Sequence, residues 1–415
     1  MTRTQQIAFG VSALLMIGIG TSPAVISFCT VLLPLLALWQ WHRWRWCWPS
    51  VTPTAQRMGQ AMLALWALSI WSGWISGDWQ GWGEVLYRKL PLLLLVFSYR
   101  ILLPFSQRHM QGLALTLVAT QGAVALLSLL GWGMGWLPPQ DPLESGGHLR
   151  IVSGISPIYF SVTLGFSALL AAYLAWTADQ ALHPFMPQIW GLLAVLNAVA
   201  LHFFTSRTGL LAFYAGGLCM LAFFVWRRRA WKLGGLGLLV ALAMPLLAYQ
   251  FFPSFRLRAQ ATWANWKQIS QPGADHSFNS SALRLMAWRT TWELIEEKPI
   301  LGRGLSTVQP ALEDRYRKNG AYEQVERPLI NPHNQYLTYW AGLGLPGLMV
   351  LLLVVFLPPY LAHGPPRMLA FALSGALFVA LMFENVLERQ IGMTFFCVIY
   401  LWLPFWQPGK QAKID

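Results

Sequence analysis

Twelve apolar stretches, most of them close to twenty residues long, divide nearly the whole chain and leave few folds open. They lie at 7–21, 23–41, 59–76, 90–105, 110–134, 154–177, 188–205, 208–226, 233–252, 335–360, 367–385 and 391–406. A run of about 20 apolar residues matches the hydrocarbon thickness of a bilayer. Lipid offers the backbone no hydrogen bonds, so only helices and closed barrels can cross it. These runs are too long for barrel strands, which need about 9–11 residues. The expected fold is an all-α polytopic integral membrane protein with about twelve transmembrane helices. The charged fraction agrees: 11% of residues are Asp, Glu, Lys or Arg, against roughly 25% in soluble domains.

The net charge of +13 does not point to nucleic acid. The basic residues cluster at the ends of apolar runs, where they orient helices and meet anionic lipid headgroups. Trp favours the same interface, and the segment Trp39-Gln40-Trp41-His42-Arg43-Trp44-Arg45-Trp46 is its densest example. Arg3 followed by Ile7–Gly20 imitates a signal peptide. The next run starts almost at once, at Pro23, so a hairpin of two membrane helices is expected. Cys29, Cys47, Cys219 and Cys397 imply neither a disulfide framework nor a metal site.

Orientation follows from Lys and Arg in the short loops. With the N-terminus inside, the cytoplasmic segments hold 13 of them, including Arg227-Arg228-Arg229, Lys410 and Lys413, and the short exported loops hold 5, namely Arg88, Lys89, Arg150, Arg207 and Arg389. That asymmetry places both termini in the cytoplasm and residues 253–334 outside. Three regions result: helices over 1–252, a large exported loop over 253–334, and helices with a short tail over 335–415. Within the loop, Ser281–Lys298 reads as an amphipathic helix with Leu285, Trp288, Trp292 and Ile295 on one face. Pro299 and Gly302 close it.

Three places could carry chemistry. Asn331-Pro332-His333-Asn334 marks the return of the loop to the membrane. Its structural reading is a turn and a helix cap, with Gly342–Gly347 allowing close helix packing. Its functional reading is a general base, because imidazole titrates near neutral pH. Ser206-Arg207-Thr208-Gly209 opens the eighth run. Arg207 there could snorkel to headgroups beside a Ser/Thr cap, or could join the helix N-terminus in binding phosphate. In the loop helix, Arg284 and Arg289 point about 140° apart. Arg289 has Glu293 one turn on, whereas Arg284 has no carboxylate three or four residues away and is the better anion ligand. The aromatic Trp263, Trp266 and Trp288 could stack on sugars or anchor in lipid. There is no DxD pair, no acid in the turn Thr21-Ser22-Pro23, no P-loop Lys after Gly342–Gly347, and no ionisable residue clearly in mid-membrane, which argues against an ion-coupled transporter.

Together these pieces resemble the O-antigen ligase family, within the group that also holds O-antigen polymerases and O-linked oligosaccharyltransferases. The residues are Ser206-Arg207-Thr208-Gly209, the stretch from Arg284 through Trp292-Glu293-Leu294 to Pro299-Ile300-Leu301-Gly302-Arg303-Gly304, and His333-Asn334. Nine residues follow Asn334 before Gly344-Leu345-Pro346-Gly347. The likeness covers about 190–390, and the N-terminal half matches in hydropathy and span count only. It implies a glycosyltransferase of the bacterial inner membrane with its site on the periplasmic side. The donor would be a glycan on undecaprenyl diphosphate, and the acceptor a sugar hydroxyl of lipid A–core. His333 would be the base. Arg207 and Arg284, with Arg289 and Arg303 carried over less closely, would engage the diphosphate. No metal or cofactor is expected, because the donor is already activated, and direct displacement would invert the anomeric carbon. Rival readings are a polymerase, a protein O-oligosaccharyltransferase (which often carries a further C-terminal soluble domain), a lipid or polysaccharide transporter, and a membrane scaffold.

Overall fold

The computed structural model describes residues 2–44, 48–138, 149–177, 184–269, 280–320, 329 and 331–406. Arg45, Trp46, Cys47, Lys410 and Lys413 lie outside the described residues. The helices are α1 (Arg3–Thr21), α2 (Pro23–Arg43), α3 (Pro53–Ser76), α4 (Trp79–Leu102), α5 (Gln107–Gly133), α6 (Pro157–Thr177), α7 (Met186–Phe204), α8 (Arg207–Arg228) and α9 (Trp231–Phe251). The segment after them forms α10 (Pro253–Ile269), α11 (Ser280–Glu297) and α12 (Val308–Lys318). The chain then returns through α13 (Gln335–Leu361), α14 (Pro366–Phe383) and α15 (Gln390–Trp402).

Each of the twelve apolar runs coincides with a helix. Nine helices among the described residues are long and apolar enough to cross a membrane: α1, α2, α5 to α9, α13 and α14. The protein is thus an all-α, multi-pass membrane protein. The other three runs fall short of twelve spans for identifiable reasons. α3 and α4 have 24 residues each, but both begin with polar turns, Pro53–Gln60 and Trp79–Lys89. α15 has only 13 residues, yet every one from Ile391 to Trp402 is buried. A helix apolar on all sides belongs in the middle of a bundle, and α15 stands there, packed against α2, α3, α4 and α6. α9 is its opposite, with Ala248 alone buried.

Small residues set the tightest packing, as expected where lipid is as apolar as the helices themselves. α8 lies closest to α14 and α6. A Cβ on Gly216 would come within 2.7 Å of the Ala372 carbonyl, and one on Gly209 within 2.4 Å of Ser161 Cβ. Gly209 therefore seats the first turn of α8, with Arg207, on α6. α1 and α2 form the expected hairpin across Ser22. Cys29, Cys219 and Cys397 are free thiols.

α4 corrects one boundary. Lys89 was assigned to a short exported loop, but the helix starts at Trp79 and Lys89 is fully buried halfway along it. A buried cation thus stands inside the helix bundle. α11 agrees in extent and in part of its face, with Ile295 buried and Trp292 packed on Trp340 of α13 at 5.3 Å between ring centroids. Leu283, Ala287, Thr290, Thr291 and Leu294 are buried, whereas Leu285 and Trp292 are 41% and 45% exposed. α11 packs along α13, with Leu294 and Ile295 in one apolar cluster with Ala341.

Candidate active site

Several segments meet where α8 and α13 begin. Asn334 caps α13 by accepting from Leu337 N–H at 3.1 Å. His333, just before it, has φ +49°, a left-handed conformation uncommon outside glycine. Two contacts hold it there. Asn331 Oδ1 accepts from His333 N–H at 3.1 Å, and Pro332 C=O accepts from the Trp288 indole at 2.8 Å. Backbone strain of this kind, where the surroundings enforce it, gathers at functional sites. Trp288 is thus half-buried and ties α11 to the His333 turn, while Trp263 and Trp266 remain 66% and 53% exposed on α10.

His333 has a carboxylate partner that the sequence reading missed. Glu384, the first residue beyond α14, accepts from His333 Nδ1 at 3.0 Å and is 5% exposed. A carboxylate at Nδ1 fixes the proton on that nitrogen and leaves Nε2 with its lone pair available. Tyr159 OH donates to the same oxygen at 3.4 Å. The other oxygen, Oε2, lies 3.8 Å from Arg284. Burial pushes the Glu384 carboxyl upward. The His333 hydrogen bond and charge, Arg284 and the Asn385 N–H outweigh burial and hold it below its ordinary range. Arg284, read as unpaired from its helical neighbours, therefore has a partner one hundred residues away in sequence.

The arginines are crowded. Arg207 Nη1 donates to Ser281 Oγ at 3.1 Å, which brings the start of α8 against the start of α11. Arg258 on α10, not singled out from sequence, lies in the same field. Burial, then Arg207, then Arg284 push its guanidinium down to about 10. A guanidinium stays charged at neutral pH even so. Arg207, Arg258 and Arg284 with Glu384 thus sum to two positive charges, an arrangement suited to a doubly charged anion. The dipole at the N-terminus of α8 adds to it. The expected cap differs: Ser206 occupies the N-cap position but its hydroxyl makes no capping bond.

The remaining candidates stand apart. Arg289 is exposed, and its expected partner Glu293 pairs with Arg315 at 3.6 Å and Asn319 at 3.4 Å, because α12 packs beside that face of α11. Arg303 is engaged in the scaffold, donating to Glu297 at 2.7 Å and to the Leu294 carbonyl at 3.1 Å. Its turn, Pro299–Gly304, docks on a break in α13 at Gly344, where φ is +68°. Arg303 N–H and Gly304 N–H bond to Ala341 and Gly342 carbonyls at 3.0 and 2.7 Å. A Cβ on Gly344 would fall 2.0 Å from the Ile300 carbonyl. The glycines read as packing residues therefore have a definite task, fixing the loop to the helix that carries His333.

A second polar network braces the Glu384 loop. The Lys89 ammonium donates to Glu388 at 2.6 Å, to the Leu387 carbonyl at 2.8 Å and to Tyr339 OH at 3.0 Å, which uses all three of its protons. Gln335 reaches the same loop, donating to Glu388 at 3.0 Å and accepting from Leu387 N–H at 2.9 Å. Asn385 bridges Asn331 and Thr338. The imidazole and its carboxylate are thus held from both sides. Among the described residues, no three His, Cys, Asp or Glu side chains are placed to share a metal ion.

The search of curated proteins finds no match. A protein-family model described as O-antigen ligase matches residues 192–352. The matched stretch contains Arg207, Arg258, Arg284 and His333 in the geometry above, and members of that family are glycosyltransferase-type enzymes acting on lipid-linked glycans. Over these residues the chain is similar to the O-antigen ligase family.

Proposed function

We propose that this protein is an O-antigen ligase, moving a finished glycan from undecaprenyl diphosphate to a sugar hydroxyl of lipid A–core on the periplasmic face of the inner membrane. The observation that carries the reading is the His333–Glu384 pair set beside Arg284, at the mouth of the α8 N-terminus. The Lys and Arg distribution supports the sidedness, with residues 253–334 outside. The acceptor hydroxyl gives its proton to His333 Nε2 as its oxygen bonds to the anomeric carbon. The bond from that carbon to the diphosphate breaks, and the leaving oxygen keeps the electron pair. Glu384 stabilises the imidazolium that forms. Arg207, Arg258 and Arg284 meet the charge developing on the diphosphate, where fixed charges have most effect. Attack opposite the leaving group inverts the anomeric centre.

Complementation tests this directly. A host lacking its own ligase, expressing this protein, should regain a lipopolysaccharide ladder on lipid A–core. His333→Ala should abolish the ladder while the protein still reaches the membrane at normal levels. A ladder undiminished in that variant removes His333 from the mechanism. Lengthening of single-unit glycans in a polymerase-deficient host, with no ladder in the first, would assign the same site to a polymerase.

A further inference from the structure

A second site lies at the far end of the bundle from His333. A cavity of about 310 Å³ opens between the start of α3, the end of α4 and the end of α15. One wall is polar, with Gln56 and Gln60 one helical turn apart and Arg100 facing them from α4. The deeper wall is apolar, with Leu63 and Phe97. Trp48 stands at the rim, 55% exposed and packed on Trp41 with ring centroids 4.7 Å apart. An indole in that position is characteristic of the membrane–water interface.

Arg100 is the unusual member. Its Nη1 is buried and has no hydrogen-bond partner. A buried charged donor left unsatisfied is costly, more so than a neutral one. Among the described residues nothing neutralises it nearby. No Asp or Glu occurs in residues 1–77 or 85–140, and α15 carries none. Glu84 lies on α4 sixteen residues before Arg100, about 24 Å away along the helix axis. An anion from beyond the described residues would satisfy it.

The geometry points to an anionic glycerophospholipid, of the phosphatidylglycerol class, bound by its phosphate to Arg100. Gln56 and Gln60 donate to the headgroup oxygens, and an acyl chain enters between Leu63 and Phe97. A free phosphate would satisfy Arg100 but leave the apolar wall unfilled. The site shares no residue with the His333 cluster, so it stands or falls separately from the proposed transfer reaction.

The test uses the full-length protein purified in detergent and titrated with phosphatidylglycerol, phosphatidylcholine or inorganic phosphate, with bound lipid counted by native mass spectrometry. Wild type should retain one phosphatidylglycerol that phosphatidylcholine does not displace. Arg100→Gln should weaken that binding about tenfold or more, the effect of one charged hydrogen bond. Arg108→Gln, an exposed arginine close by in sequence, should leave it within about twofold, as screened surface charge does. Leu63→Trp, which fills the apolar wall, should also displace the lipid, and it keeps the test open if Arg100→Gln proves unstable. Equal effects of the two arginine variants, displacement of the lipid by inorganic phosphate, or full retention in Leu63→Trp would each overturn the proposal.

Discussion

Glu384→Gln separates the catalytic reading from a merely structural one. The substitution keeps the shape and the hydrogen-bonding atoms but removes the charge. In the native site the carboxylate holds His333 Nδ1 at 3.0 Å and is 5% exposed, so solvent screens it little. A hydrogen bond to a charged group contributes roughly 1.5–3 kcal/mol. Stabilisation of the imidazolium by that amount corresponds to roughly 10- to 150-fold in rate. Transfer should therefore fall within that range, expressed in the chemical step and not in donor affinity. Binding of inorganic pyrophosphate should hold or tighten, because the variant removes the one negative charge from the arginine cluster. Acid stability supplies an independent readout. The native carboxyl lies below its ordinary range. Its stabilisation is complete above the unfolded value, about 4.3, and is lost as pH falls through the lower native value. Wild type should therefore lose stability on acidification below about pH 4 more steeply than Glu384→Gln does. Transfer at the wild-type rate, or a loss traced wholly to weaker donor binding, would refute the reasoning.

Three further outcomes follow from the same geometry. Lys89→Met strands Glu388 in the bundle without its cation; it should destabilise the protein by about 3–5 kcal/mol in denaturant unfolding, with Lys89→Met/Glu388→Leu recovering part of the loss. Arg258→Gln relieves the crowding of three guanidinium groups, so the ligand-free protein should melt higher than wild type while pyrophosphate binding, read by calorimetry, weakens about tenfold, a typical loss for one charge-assisted contact. Gly344→Ala sets a methyl group against the Ile300 carbonyl in a positive-φ position; its expression and thermal stability should drop sharply, whereas Gly10→Ala, which meets open space, should be silent.

The fold was legible because lipid leaves so few choices. Runs of about twenty apolar residues can hardly be anything but helices, and all twelve are helical. The site was legible only in part. His333 and Arg207 stand at helix starts, where sequence shows a turn and a cap, and both sit in the cluster. Glu384 was overlooked because orientation was read from Lys and Arg alone. Acids beside apolar runs are scarce in this chain, and their cost near lipid was itself a usable signal. Arg284 was judged by residues three and four away, a rule that holds for exposed helices but cannot find a partner on another helix. Lys89 was hidden by proximity to Glu84 and Arg88, which made a helical turn look like a loop. Arg258 gave no local signal: only the packing of α10 brings it to Arg207 and Arg284.

The matched domain, residues 192–352, contains the proposed base and the three arginines but not the groups that set them. Glu384, which orients His333, lies beyond it in the turn after α14, and Tyr159 lies before it on α6. Lys89, from α4, ties the loop that holds Glu384 to Tyr339 of α13 through bonds to Glu388, the Leu387 carbonyl and the Tyr339 hydroxyl. A general base needs its partner nitrogen held as well as its own position, since a rotated imidazole presents the wrong atom to the acceptor. The helices outside the match are therefore more than membrane anchors. They close the geometry from both sides of a strained His333 turn, and the base catalysis proposed for the matched stretch would depend on a carboxylate and an ammonium supplied by sequence on either side of it.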